Sequence, residues 1–105
     1  MAARTPRMQQ IEELLAEDPT DSFLRYGLAM EYRSAGDDAT AAELLKKLLQ
    51  DTPYVPAYLM VGQLLNELGK WEEAITLLKQ GIQQAQNQGN DHAAGEMQGL
   101  LATIE

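Results

Sequence analysis

The sequence predicts an all-α protein built from stacked helical hairpins, and three observations carry that reading. Helix formers such as Leu, Ala, Glu, Gln and Lys dominate a chain of 105 residues that is 45% apolar but only 6% aromatic. Nowhere does the chain sustain the alternation of Val, Ile, Thr and aromatic residues that marks strands. The segment LGKWEEA, from Leu68 to Ala74, and its flanks superimpose on earlier sequence at a shift of 33 residues. Val61 falls on Leu28, Gly62 on Ala29, Leu65 on Tyr32, Gly69 on Gly36, Ala74 on Ala41, Leu78 on Leu45 and Ile82 on Leu49. Self-similarity at this period points to repeated supersecondary units rather than to one closed core.

The first helix is expected over 6–18, with Thr5 as its cap and Pro6 at the first helical position, where a missing N–H costs nothing. Ile11, Leu14, Leu15 and Ala16 give it the look of a hairpin's second helix, so the chain is expected to begin half-way through a repeat. Pro19 separates it from the first full unit, 21–53. There Leu24, Leu28, Ala29 and Tyr32 form the core stripe of one helix, Gly36 ends it, and Ala41, Leu45 and Leu49 carry the next. Pro53 and Pro56 flank the joint to the second unit, 54–86. In that unit Ala57, Tyr58, Val61, Gly62, Leu65 and Leu68 recur at helical spacing and stop before Gly69, which can take the left-handed conformation that closes a helix. Trp71, Ala74, Ile75, Leu78 and Ile82 begin a new stripe, with Trp71 expected on its buried side, closing the top of the helix pair. Glu72 and Glu73 fall where carboxylates suit the helix dipole.

After a polar stretch over 83–90, Ala93, Met97, Leu100, Leu101 and Ile104 make a last amphipathic helix over 91–104, with Asp91 as its expected cap. Gly95 and Gly99 each cost up to about 1 kcal/mol in a helix interior. This helix must therefore draw its order from docking, for which the two glycines would permit a close approach. One domain over 1–105 is expected.

These residues resemble the tetratricopeptide repeat, which joins large apolar, small and aromatic residues on a first helix to a small and a large residue on a second. The second unit supplies Tyr58, Val61, Gly62, Leu65, Ala74 and Leu78, together with the run from Gly69 to Ala74. The first supplies Leu28, Ala29, Tyr32, Gly36, Ala41, Leu45 and Pro53, but has Arg25 where the family carries an aromatic. The family period is about 34 residues, so the observed spacing implies a joint shortened by one residue near Pro53. The resemblance implies an α-solenoid of antiparallel helix pairs, a right-handed superhelix of about six helices, with about three units needed to cover the apolar stripes. It also implies that the first helix of each pair lines a concave, peptide-binding face.

With the core stripe assigned, Phe23, Tyr26, Met30 and Arg33 share the adjacent face in the first unit, and Leu59, Gln63 and Asn66 share it in the second. His92 and Glu96 would extend it if the last helix keeps the register. Tyr26, Met30 and Leu59 would receive apolar side chains of an extended or helical segment, Gln63 and Asn66 would hydrogen-bond its backbone, and Arg33 would take an acidic group or a chain terminus. The competing assignment packs Phe23, Tyr26 and Met30 beneath the amino-terminal half unit, with Phe23 the best suited of the three to a structural role. A chaperone-binding subclass of the family holds a terminal carboxylate with a clamp of Lys, Asn and Arg. Tyr26 and Met30 stand where Lys and Asn would be expected, so that activity is not predicted.

Sixteen acidic residues against eight basic ones give a formal charge of −8, a field that repels nucleic acid and anionic membrane surfaces. Cysteine is absent, as suits a reducing compartment, and the sequence lacks an apolar run of signal-peptide or membrane-spanning length. A cytoplasmic location is expected. His92 is the single histidine, and the pairs Glu12 and Glu13, Asp37 and Asp38, and Glu72 and Glu73 are sequence neighbours whose side chains diverge on a helix. Neither catalysis, a metal nor a cofactor is expected. The expected function is a non-enzymatic adaptor or scaffold that binds a peptide or protein segment. The alternative is a structural protein that self-associates as a homodimer through the apolar groove or the last helix.

Overall fold

The computed structural model describes residues 4–105. Among them lie six α-helices and no strand: α1 (Pro6–Glu17), α2 (Ser22–Ser34), α3 (Asp38–Asp51), α4 (Val55–Glu67), α5 (Trp71–Asn87) and α6 (Asp91–Ile104). They form two compact units, Met1–Thr52 and Pro53–Glu105. In the first, α2 packs on both α1 and α3; in the second, α4, α5 and α6 all pack against one another.

In the first unit each helix start has a side-chain cap. The Met8 N–H donates to Thr5 Oγ1 at 3.1 Å, the Leu24 N–H to Asp21 Oδ1 at 2.9 Å and the Thr40 N–H to Asp37 Oδ1 at 3.1 Å, so donors that a helix start would leave orphaned are satisfied. Met8, Ala29, Ala41, Leu45 and Leu48 are fully buried, whereas Leu28 and Tyr32 are half-buried. Arg25 answers for the missing aromatic. It is half-buried, and Nη1 reaches Asp51 Oδ2 at 2.8 Å at the carboxyl end of α3, where a cation also meets the helix dipole favourably.

The Asp37 carboxylate also accepts from the Thr40 hydroxyl at 2.7 Å. That bond and the Thr40 backbone bond hold its pKa below the ordinary carboxylate value. Because the folded value is depressed, the stabilisation is present above the unfolded pKa of about 3.9 and is lost as pH falls through the folded value. Thermal melts across acidic pH are expected to show this loss in the wild type and a flatter profile in Asp37→Asn, which keeps a capping oxygen but cannot titrate.

Three helices close in the same way. Gly36, Gly69 and Gly89 have φ of 84°, 77° and 72°. The following N–H groups of Asp37, Lys70 and Asn90 reach back to the carbonyls of Tyr32, Leu65 and Ala85 at 2.9, 2.8 and 2.7 Å. This is the Schellman closure, which a residue bearing a Cβ would strain. Asp37 and Asn90 then cap the next helix, Asn90 by accepting from the Ala93 N–H at 3.1 Å. The last helix is thus capped by Asn90, with the expected cap Asp91 already its first helical residue. α5 continues through the polar stretch as far as Asn87.

The second unit buries Val55, Ala57, Tyr58, Val61, Leu64, Leu65, Ala74, Leu78, Ala85 and Met97, and the glycines Gly62 and Gly81. A Cβ at Gly62 would lie 2.5 Å from Leu78 Cδ2, and one at Gly81 would lie 2.4 Å from Tyr58 Cβ and 2.6 Å from Met97 Sδ. Close approach therefore occurs at these two positions. Gly95 and Gly99, expected to provide it, are exposed with nothing within 4 Å of the corresponding Cβ positions.

Trp71 departs from expectation: it is 60% exposed rather than buried. The buried stripe of α5 is Ala74, Leu78, Gly81 and Ala85. Trp71 lies on the extension of that stripe, but it is the first residue of α5, and helical side chains lean towards the amino end. Its partner helix α4 has already ended at Glu67, so the ring overhangs the packed layer. Trp71→Ala is accordingly expected to change stability by less than about 1 kcal/mol, and indole emission should be that of a water-exposed ring. A melt displaced far beyond that, with blue-shifted emission, would restore the buried assignment.

Candidate functional site

In the first unit α1 and α2 leave an open groove of about 490 Å³ between them. α1 contributes Arg7, Gln10, Ile11 and Leu14, which share a face by their spacing of three and four residues; α2 contributes Phe23, Tyr26, Gly27, Met30 and Glu31 on the same principle. Gly27 forms part of the floor, where a Cβ would stand 3.9 Å from Ile11 Cδ1. Leu14 and Phe23 stand at one end, 50% and 73% exposed. Towards the other end Arg7 Nε and Glu31 Oε2 pair at 3.3 Å, and Arg4, just before α1, pairs with Glu12 on that helix.

Phe23, Tyr26 and Met30, grouped by the sequence, are thus brought together. Tyr26 and Met30 are half-buried on the groove wall. Phe23, expected to be the most structural of the three, is the most exposed large apolar residue among those described. It lies in the first turn of α2, beyond the cover that α1 provides. Arg33 is half-buried on α2, outside the groove lining, and forms no ion pair among the described residues. The opposite wall, Gln10, Ile11 and Leu14, was not assigned from sequence to the recognition face. Its signal was present in Leu14, an apolar residue beside Leu15 that one buried stripe cannot accommodate.

In the second unit Leu59, Gln63 and Asn66 are half-buried and, at spacings of four and three, lie on one face of α4. Asn66 also borders a shallow depression with Trp71, Thr103 and Ile104. His92 and Glu96 pair with each other at 3.2 Å on the exposed surface of α6. Among the described residues no group of carboxylates, histidines or cysteines is arranged to hold a metal ion, and no helix is long and apolar enough to cross a membrane. What the first unit offers is an apolar concavity with one charged end, and the second unit separately offers an amide-bearing helix face.

Comparison with known proteins agrees with this architecture. Two models described as Tetratricopeptide repeat match the chain, over residues 32–102 and 1–55. A TPR repeat-containing protein of Pseudomonas aeruginosa is 29% identical over 99 residues, which cover 93% of this chain and 94% of the relative. The solution structure of a tetratricopeptide repeat domain protein from Salinibacter ruber is 32% identical, covers 83% of this chain and 89% of that one, and superimposes with a TM-score of 0.78. A protein of Bordetella parapertussis, 22% identical and covering 96% of this chain and 89% of its own, has the same fold with a TM-score of 0.78. With the repeat period, the three glycine closures and the matches over both halves in agreement, the chain belongs to the tetratricopeptide repeat family.

Proposed function

We propose that this chain is a non-enzymatic adaptor or scaffold of the cytoplasm that binds a protein or peptide segment. The observation that carries the proposal is the α1–α2 groove, where Phe23 and Leu14 remain exposed beside half-buried Tyr26 and Met30. Exposed apolar residues that line a concavity together differ from the scattered ones on any surface, because their desolvation on docking is favourable and shared. The family's general character as a protein-interaction fold points the same way. In this reading Phe23, Tyr26 and Met30 take the apolar side chains of the bound segment, while Arg33, outside the groove lining, takes an acidic group or chain terminus beyond the docked stretch. Leu59, Gln63 and Asn66 give the second unit its own contact face, in which the amides pair with backbone groups.

The test compares affinity capture from native extract by the wild type and by a Phe23→Ser, Met30→Ala variant. Phe23 is largely exposed and Met30 half-buried, so the variant is expected to stay folded. Loss of a captured protein with an unchanged helical spectrum supports the groove. Undiminished capture by a folded variant contradicts it.

A further inference from the structure

The groove also says what kind of segment it takes. We infer that its occupant is a basic amphipathic helix; this rests on the reading of the α1–α2 groove as a docking site and adds the chemistry of the partner.

Two features select it. The first is dimension. From Phe23 to Met30 the α2 wall is two helical turns long, or about 10 Å of helix axis. Apolar residues at i, i+4 and i+7 of an added helix span the same two turns, so such a helix lies between α1 and α2 with its anchors beside Phe23, Tyr26 and Met30.

The second is charge. The groove's cation is already engaged, since Arg7 pairs with Glu31. Past its other end, along α1, acidic residues follow. One turn beyond Leu14 on the same face of α1 comes Glu17, the last helical residue, and Asp18 follows as the C-cap; both are exposed at the carboxyl end of α1, where the helix dipole adds negative potential. Neither residue has a cationic partner among the described residues; the Asp18 carboxylate accepts from the Thr20 hydroxyl, at 3.4 Å. The field of the whole chain, formally −8, has the same sign. The ligand that complements an apolar groove with an uncompensated acidic end carries Lys or Arg beside its apolar face. A second copy of the chain brings another −8, and its Arg7 is already paired with Glu31.

The experiment uses the full chain and two fluorescein-labelled helical peptides that share leucines at i, i+4 and i+7. One carries lysines along the flanks of that stripe and the other carries glutamates. Anisotropy titration is expected to show the lysine peptide binding at least roughly tenfold more tightly, with affinity falling as salt is raised. A Glu17→Lys, Asp18→Lys variant should remove or reverse the preference, and Phe23→Ser with Leu14→Ser, both at exposed positions, should weaken both peptides. Circular dichroism verifies that each variant is folded. Equal binding of the two peptides, or a preference unmoved by the charge reversals, overturns the basic partner but leaves the groove standing. Binding unaffected by Phe23→Ser with Leu14→Ser, or no binding of the lysine peptide, overturns the inference together with the groove. Light scattering that shows a dimer dispersed by the Phe23 and Leu14 substitutions assigns the groove to a second copy and overturns it as well.

Discussion

Leu78→Ala is expected to lower the free energy of unfolding by about 2–5 kcal/mol, the largest effect of any single truncation considered for the second unit. Leu78 is fully buried on α5, and its Cγ and Cδ atoms occupy the space that a Cβ at Gly62 of α4 would enter, at 2.7 and 2.5 Å. The small residue and the large one are therefore two halves of one contact, and removing the leucine leaves a void that the glycine cannot fill. This complementarity makes a sharper expectation than the single variant does. Gly62→Ala alone should destabilise by overpacking, by about 1–3 kcal/mol. In the Leu78→Ala background the clashing atoms are gone, so the added methyl should stabilise, helped by the better helix propensity of alanine. Chemical denaturation of the four proteins of this cycle measures the coupling. Strictly additive changes would show that α4 and α5 do not meet at this pair.

Gly81→Ala should cost about 1–3 kcal/mol, even though alanine in a helix interior normally gains up to about 1 kcal/mol over glycine. The new methyl would meet Tyr58 Cβ at 2.4 Å and Met97 Sδ at 2.6 Å. The sulfur can move, being part of a flexible chain, but Tyr58 Cβ is fixed to the α4 backbone, so α4 and α5 must separate. For a domain of 60–100 residues each kcal/mol lowers Tm by roughly 4–8 °C, which places the change well within reach of a thermal melt. Gly95→Ala is the internal control. The same exchange on α6 meets nothing within 4 Å, so it should raise Tm by the propensity gain. Equal shifts in the two variants would contradict the packing described at the α4, α5 and α6 contact.

These glycines mark where sequence stops being informative. Gly36 and Gly69 could be read as helix ends because each follows an apolar stripe that halts within about one helical turn before it, at Tyr32 and at Leu68, and that logic is local. Gly81, Gly95 and Gly99 all sit inside helical stretches and look alike along the chain. Only the element lying opposite determines which of them a neighbour approaches, and that is a tertiary fact. Trp71 exposes a related gap. Helical periodicity gave its direction around the axis correctly, in line with Ala74 and Leu78, but carries no information on whether α4 extends far enough to cover it. Arg25 was legible as a departure from the family pattern, whereas its partner Asp51, 26 residues away, was not. For the candidate site, the grouping of Phe23, Tyr26 and Met30 followed from spacing on one helix. The wall that completes their groove belongs to α1, and pairing the two helices required the fold.

Docking in the α1–α2 groove requires that it be open to solvent, and the absence of native cysteine makes that directly measurable. Single thiols are introduced as Phe23→Cys, Leu14→Cys and, as a buried reference, Leu45→Cys, and their labelling rates are compared in the native and denatured protein. The first two are expected to react at close to their denatured rates and the third to be strongly protected. Protection of Phe23→Cys and Leu14→Cys comparable to that of Leu45→Cys would mean that the groove is already filled, and the docking site would be lost with it.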